Sequence, residues 1–449
     1  MSAAAAPGYG PGVAAEWRNW AGDQVSRPAH VRSPATADQV AAAVKDAGRD
    51  GLRVRMAGSG HSFTGAAVTD GVLLRPERLT GVVAITGDSV TVRAGTQLHA
   101  LSRLLATHGL ALENLGDIDV QTVAGAISTG THGTGLGYGG LATQVTGLEL
   151  VLADGSLVRA DSTADSDLLA AAVVGLGAYG VITAVTLRCV PAFALRAEET
   201  AEKLEDLLGR WDTLPAEADH VEFYWWPHTD DCQLKRNTRV PLADLAPLPR
   251  WRAVLDDELV ANGLFGAVCR VGARVPALVP PANRLATTLL GSRTYTDRSW
   301  KVFAHRRRVR FHETEWALPR ALLPEVLREL DETIRRRGWR VSFPVEVRVA
   351  AGDDRWLSTA YGRETAYLAA HRYVRESWVD YLGAVGEIVR SVAGADARPH
   401  WGKLHPLAAA DLEPRYPRFA DAVALRARLD PHGRFANSYL DRVLGPVSI

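Results

Sequence analysis

Through its first half the chain alternates short apolar runs, glycine loops and amphipathic stretches. Thr36 and Gln39 stand at the spacing of a capping box, and Val40 and Val44 then recur at helical intervals up to Gly51, which predicts a helix. Leu52 to Met56 predicts a short strand running into Gly58-Ser59-Gly60-His61-Ser62. Val82 to Arg93 predicts a hairpin around Gly87-Asp88, and Leu148 to Val158 a second around Asp154-Gly155. Thr96 is placed to cap a helix carrying Leu98, Leu101, Leu104 and Leu105 and ended by Gly109. Ile182 to Val190 predicts a strand. In the second half Leu322 to Arg337 predicts a longer helix. Trp339 to Ala350 predicts a strand with Val341, Phe343, Val345, Val347 and Val349 on one face, and Glu346 and Arg348 together on the other. Composition shifts near Pro191, where tryptophans and proline-rich connections begin. This divides the chain into a loose Ala/Gly/Pro-rich tail over 1–15, a first domain over 16–190 and a second over 191–449.

A length of 449 residues exceeds what one ordinary core supports, in keeping with two domains. Apolar content is 47% and the formal net charge is zero, which describes a folded chain and excludes nucleic acid as a partner, since that needs a basic face. The run His305-Arg306-Arg307-Arg308 reads as the solvated face of a surface element. Three cysteines without metal or CxxC spacing suit reduced thiols. No apolar stretch approaches the ~20 residues of a membrane helix, and the N-terminus lacks a signal-peptide pattern. The expectation is a soluble, cytoplasmic protein that does not insert into membranes.

Candidate chemistry begins with the glycine loops. Gly175-Leu176-Gly177-Ala178-Tyr179-Gly180 fits G-x-G-x-x-G as a string, but a helical stretch precedes it and a β-rich run follows. A nicotinamide site needs the reverse order. The string reads as a helix-to-strand turn unless its backbone meets a different nucleotide. Gly58-Ser59-Gly60-His61-Ser62-Phe63 suits close approach of the main chain to a diphosphate, with His61 an unusual member. The segment 122–135 is almost wholly small and hydroxyl residues, suited to lying flat against a planar ligand. Glu346 and Arg348 are either an exposed pair of little worth or, in a cleft, a couple that orients a polyhydroxy substrate. Arg398-Pro399-His400-Trp401-Gly402-Lys403-Leu404-His405 concentrates polar side chains. No metal is expected, because His400 and His405 lack a third ligand and His312-Glu313 lacks the second histidine of a zinc motif.

Together these stretches resemble the vanillyl-alcohol-oxidase-type FAD flavoproteins, in the branch of sugar-lactone oxidases and alditol oxidases. The resemblance is carried by Trp17-Arg18-Asn19-Trp20-Ala21-Gly22, the His61 loop, Gly130-Thr131-His132-Gly133-Thr134-Gly135, Gly180-Val181-Ile182-Thr183, Val345-Glu346-Val347-Arg348, Trp356 to Arg363 and Arg398 to Lys403. It implies an α+β fold: a two-subdomain FAD-binding domain, then a substrate domain on a large antiparallel sheet whose final segment, from about 395, returns toward the flavin. It implies FAD bonded through its 8α-methyl to His61. Contacts are expected from Met56, Ala57, Gly58, Ser59, Gly60, Ser62, Phe63, Ser128, Thr131, His132, Gly133, Thr134, Gly135, Gly180, Ile182 and His400. The link should be single, because residues 116–140 contain no cysteine. Catalytic roles fall to Glu346, Arg348, Lys403 and His371. Ala126 and Tyr373 stand where the alditol-oxidase pattern has small hydroxyl residues. That departure favours an aldono-1,4-lactone of the gulono- or arabinono- type over a free alditol, while a related cyclitol or amino sugar would leave the same motifs. The expected reaction is oxidation of a CH–OH group with O2 as acceptor, giving hydrogen peroxide; the alternative is a lactone dehydrogenase serving a quinone or cytochrome.

Overall fold

In the computed structural model, which describes residues 16–249, 251, 263, 265–288, 291–305 and 307–447, the expected tail over 1–15 lies outside the described residues. The run ending at Met56 becomes strand β2 (Val54–Met56). Together with β1 (His30–Arg32) and β3 (Val72–Leu74) it makes a small parallel sheet in the order β1-β3-β2. Parallel neighbours need a crossover. Helix α1 (Ala37–Arg49) supplies one and buries Val40, Ala43, Val44 and Ala47. Thr36 Oγ1 accepts the Gln39 N–H at 3.2 Å, as its spacing predicts, while Gln39 Oε1 reaches back to the Ala35 N–H at 2.8 Å.

Both expected hairpins form, as β4 (Val82–Thr86) with β5 (Ser89–Arg93) and β6 (Val145–Val151) with β7 (Leu157–Asp161). They join β8 (Val181–Arg188) in an antiparallel sheet ordered β7-β6-β8-β5-β4. Thr96 does not cap the next helix. Helix α2 (Leu98–Thr107) starts after Gln97 without a side-chain cap, and Thr96 Oγ1 instead takes the Gly81 N–H at 3.0 Å. Gly81, just before the hairpin, offers that hydroxyl both an N–H and a carbonyl, the latter at 3.3 Å, and these take the place of capping. A short helix α3 (Val123–Ser128), capped by Thr122, occupies part of the small-residue segment. Helix α4 (Ser166–Ala172) precedes the 175–180 turn.

Among the described residues the second half is built on an eight-stranded sheet: β9 (Ala194–Lys203), β10 (His220–Trp225), β11 (Asp231–Val240), β12 (Arg293–Arg298), β13 (Phe311–Pro319), β14 (Val345–Ala350), β15 (Thr365–Tyr373) and β16 (Arg398–Pro399). Their order is β12-β9-β11-β10-β14-β15-β13-β16, with every pairing antiparallel. Strand β14 starts at Val345, later than the alternation suggested, because Pro344 has no N–H to give a ladder. Helices α5 (Leu323–Arg337) and α6 (Val379–Ala393) pack together, with α6 lying on β13 and β15. The other face looks toward the first half, so both faces of β14 are buried. Polar side chains there must therefore find partners.

The C-terminal segment closes back on the first half. Arg434 donates its backbone N–H to Asp430 and its side chain to Ala47 O, and its carbonyl accepts the Val54 N–H at 2.7 Å. Asn437 Nδ2 serves the carbonyls of Gly65, Ala66 and Val68. Among the described residues no helix is long and apolar enough to cross a membrane.

Candidate active site

Strand β2 delivers the chain into the glycine loop at the point where the two halves meet. Gly60 has φ +75°, which favours glycine. A Cβ on Gly58 would stand 2.5 Å from Thr122 Oγ1, so no larger residue fits. The N-terminal motif braces the loop: Trp20 N–H donates to Gly60 O at 2.7 Å, and Asn19 Nδ2 to Ser62 O at 3.0 Å. Behind the loop lies a narrow cavity of about 120 Å³, lined by Met56, Gly58, Ser59, Gly60, Ser128, Gly177, Gly180 and Ile182 among others. The 175–180 turn contributes its backbone to this cavity. Arg55 pins it by donating to the Leu176 and Gly177 carbonyls at 2.6 and 3.0 Å.

In front lies a cleft of about 1070 Å³. His61, Ser62, Gln121 and Thr129 line both spaces, so the channel opens into the cleft at His61. The imidazole stacks on Trp20, ring centroids 5.5 Å apart. Burial, with the Lys403 charge beside it, pushes His61 down to about 4, so the ring is neutral at pH 7. A glycine-walled channel joined through a neutral imidazole to a broad cleft suits an extended dinucleotide with a planar head, and the residues present fit FAD.

The cleft floor is charged. Arg348 donates Nε to Glu222 Oε2 at 2.9 Å, pairs through Nη2 with Glu346, and turns Nη1 toward Asp117 Oδ1 at 3.8 Å. Arg307 pairs with Asp117 and lies 3.5 Å from Glu346. Burial, together with Asp117 and Glu222, moves Glu346 above the usual carboxylate range despite its arginines. Lys403 Nζ lies 2.5 Å from Glu313 and 3.9 Å from Glu315. Burial alone would raise Glu313, but Lys403 and His371 hold it at about 2. These carboxylates keep Lys403 above its ordinary value despite burial.

The structure brings His61, Ser62, Phe63, Thr131, His132, Glu346, Arg348, His371, His400 and Lys403 to one cleft. His371 stands beneath Glu313: its Nε2 faces Glu313 at 3.4 Å and its Nδ1 faces Pro344 O at 3.3 Å. Other expected residues lie elsewhere. Ala57 packs with Trp17 and Leu73, Ala126 is in the main core, and Tyr373 sits in an aromatic cluster with Phe63 and Phe311. None of these three lines either cavity. Gly133, Thr134 and Gly135 instead tie the halves together. Thr134 Oγ1 accepts the Val349 N–H at 3.2 Å, Gly135 N–H donates to Val349 O, and a Cβ on Gly133 would stand 2.2 Å from Leu115 O. His305 and Arg307 overturn the reading of the 305–308 run as a solvated face, because both line the cleft; Arg306 lies outside the described residues.

Reading the sequence missed Glu222, Glu315, Asp117 and Arg307 and passed over Glu313. Alternation along Phe311–Pro319 puts Glu313 and Glu315 on one face, a usable signal; Asp117 and Arg307 sit on irregular segments without one. His132 and Glu315 also join His400, with ligand atoms all within 4.8 Å. Two of their ring nitrogens are engaged inside the protein, since His400 Nδ1 accepts the Gly402 N–H at 3.0 Å and His132 Nε2 bonds Glu315 at 2.8 Å. His405 turns away to Tyr439.

Residues 28–161 match the FAD-binding-domain family, and residues 185–443 match the D-arabinono-1,4-lactone oxidase family. The chain is 41% identical to an L-gulono-1,4-lactone dehydrogenase of Mycobacterium tuberculosis over 96% of this chain and 99% of that one. It is 33% identical to bovine L-gulonolactone oxidase over 95% and 98%. Its fold matches a cholesterol oxidase of Brevibacterium sterolicum with a TM-score of 0.80 at 21% identity, covering 96% of each chain. The glycine channel, the charged cleft and these matches together make the chain an FAD-dependent oxidoreductase acting on CH–OH groups, and it belongs to the D-arabinono-1,4-lactone oxidase family.

Proposed function

We propose that the chain is a dehydrogenase of sugar 1,4-lactones of the gulono- type, with FAD bonded through its 8α-methyl to His61. The observation that carries the lactone and the acceptor is the match to the mycobacterial dehydrogenase across almost the whole of both chains. Sequence motifs favoured O2 as acceptor, but the higher identity to a dehydrogenase than to bovine oxidase supports the alternative. The Ala126 and Tyr373 argument no longer bears on substrate, since neither residue lines the cleft; the lactone preference rests on the relatives.

Bound FAD supplies the acceptor for the electrons of the substrate C–H bond. The chain's own residues position the alcohol and stabilise the charge that develops on it. Arg348 and Lys403 offer positive charge to the oxygen as it loses its proton, and their burial strengthens the interaction. Glu346 is placed to hold neighbouring hydroxyls while fixing Arg348. His61 meets the requirement for attachment, a neutral imidazole nucleophile held in a rigid loop. Three free, buried cysteines support a cytoplasmic setting.

The test is turnover of L-gulono-1,4-lactone in air and under anaerobic conditions with a dye or cytochrome acceptor. Turnover with the acceptor and little oxygen consumption is expected; rapid peroxide formation would return the assignment to an oxidase. L-Galactono- and D-arabinono-1,4-lactone, xylitol, sorbitol and cyclitols, compared by anaerobic bleaching, set the substrate class. Acid-precipitated protein should stay yellow, and colourless precipitate would refute the covalent link.

A further inference from the structure

One face of the substrate sheet carries a row of charges that alternate in sign strand by strand. Arg293 on β12 stands opposite Glu199 on β9, Glu199 opposite Lys235 on β11, and Lys235 opposite Glu222 on β10. Glu222 then holds Arg348 on β14. Arg293 Nη2 lies 2.8 Å from Glu199, Lys235 Nζ 3.7 Å from Glu222, and Glu222 Oε2 2.9 Å from Arg348 Nε. Gln233 adds a 2.8 Å bond to Glu199. None of these side chains is fully solvated.

Such a row is a costly way to build a sheet. Buried ion pairs are often no more stabilising than well-packed apolar residues, while removing one partner strands the other. Apolar or threonine side chains would have served the β ladder as well. The row lies along the cleft, which Arg293 lines at one end and Arg348 at the other, and the Arg348 guanidinium is gripped on two edges, Nε by Glu222 and Nη2 by Glu346. That leaves Nη1 directed toward Asp117.

We propose that Glu222 is a positioning residue that aims Arg348, and that Lys235 and Glu199 behind it set how much of the Arg348 charge is felt in the cleft. Each link acts on the next with opposite sign. Lys235 partly neutralises Glu222, leaving Arg348 more of its own charge; Glu199 partly neutralises Lys235 and does the reverse. The inference rests on the proposed role of Arg348 in the reaction and deepens it.

The experiment uses FAD-loaded Glu222→Gln, Lys235→Met and Glu199→Gln proteins, checked for flavin content and melting temperature. The two outer variants are read by the reduction potential of the bound flavin, determined by dye equilibration. Lys235→Met should shift the reduction equilibrium against the reduced form by about threefold, and Glu199→Gln should shift it the other way by a similar factor, each about 14 mV for two electrons. Glu222→Gln should lower kcat on L-gulono-1,4-lactone by about tenfold or more with KM nearly unchanged, because misaiming a catalytic group costs rate. In an Arg348→Lys background, which lacks the planar fork, the same change should have little further effect. Shifts of the same sign in the two outer variants, no shift in either, or an unchanged kcat in Glu222→Gln would overturn the proposal. If the wild-type enzyme oxidises no lactone, the substrate assignment fails while the potential measurements still test the row. A Lys235→Gln protein replaces Lys235→Met if that variant does not fold.

Discussion

The narrow channel and the broad cleft meet at His61 but are made of different materials. The channel is lined by glycines at 58, 60, 125, 177 and 180 and by small residues such as Ser59, Ala124 and Ser128, with Trp17, Met56 and Phe435 among the larger side chains. The cleft is made of side chains: Glu313, Glu315, Glu346, Arg307, Arg348 and Lys403 come from strands and loops scattered over the second half. Backbone recognition needs only that nothing intrude. Side-chain recognition needs each charge to have a partner, which is why carboxylates surround Arg307, Arg348 and Lys403. Damage to the channel should therefore appear as lost cofactor, and damage to the cleft as lost rate with the cofactor retained.

The largest expected effect breaks the cleft alone. Lys403→Ala and Arg348→Ala should each lower kcat by about 10²- to 10³-fold while flavin content stays normal. Rates near wild type in both would remove these cations from the reaction. Gly58→Val attacks the channel: its side chain would collide with Thr122, and FAD occupancy, read from the absorbance ratio of purified protein, should fall steeply. Overpacking of this kind costs typically about 1–3 kcal/mol, so the apoprotein should still fold. His61→Ala lies at the junction and should separate binding from attachment. Its flavin should be released by acid but retained on gel filtration, because the other channel contacts do not use the imidazole.

A smaller, graded effect concerns pH. His220 is fully buried, donates its Nδ1–H to Thr134 O at 2.7 Å, and is pushed by burial from 6.5 to about 4. Its folded form prefers to be neutral. Stability is then complete above about pH 6.5 and falls as pH drops toward 4, by on the order of 3 kcal/mol. Glu313 continues the loss, since its folded value of about 2 lies below the ordinary 4.5. Urea midpoints from pH 8 to 4 should decline, and His220→Asn should flatten the upper part of that curve. An unchanged slope would assign the acid sensitivity to other buried histidines. The smallest effect is expected outside both regions: Arg328→Ala, which breaks the exposed pair with Glu205, should change stability by less than about 1 kcal/mol.

Legibility in the sequence divides along the same line. The hairpins, α1, the helix-to-strand turn at 175–180 and the His61 loop were readable because each is specified by neighbours within a few residues: turn glycines, capping spacings, alternation. Where a local rule met a tertiary competitor it failed. Thr96 left its helix for Gly81, whereas β14 was shortened by a local feature, the missing N–H of Pro344. Arg307 shows the same failure at the site, since a basic run on an irregular segment carries no mark of the aspartate it will meet.

The sequence by itself determined the elements, the glycine positions that admit a nucleotide, and the residue types available for the chemistry, because these depend on backbone sterics and short-range periodicity. Only the tertiary structure decided which charges share a cleft. Glu346 and Arg348 read equally as an exposed pair until the order β10-β14-β15-β13 set Glu222 on one side and Glu313 and Glu315 on the other. Strand order and the packing of the first half over that face are long-range outcomes. They exclude water from those side chains, and that exclusion turns ordinary ion pairs into a site with a strong, directed field.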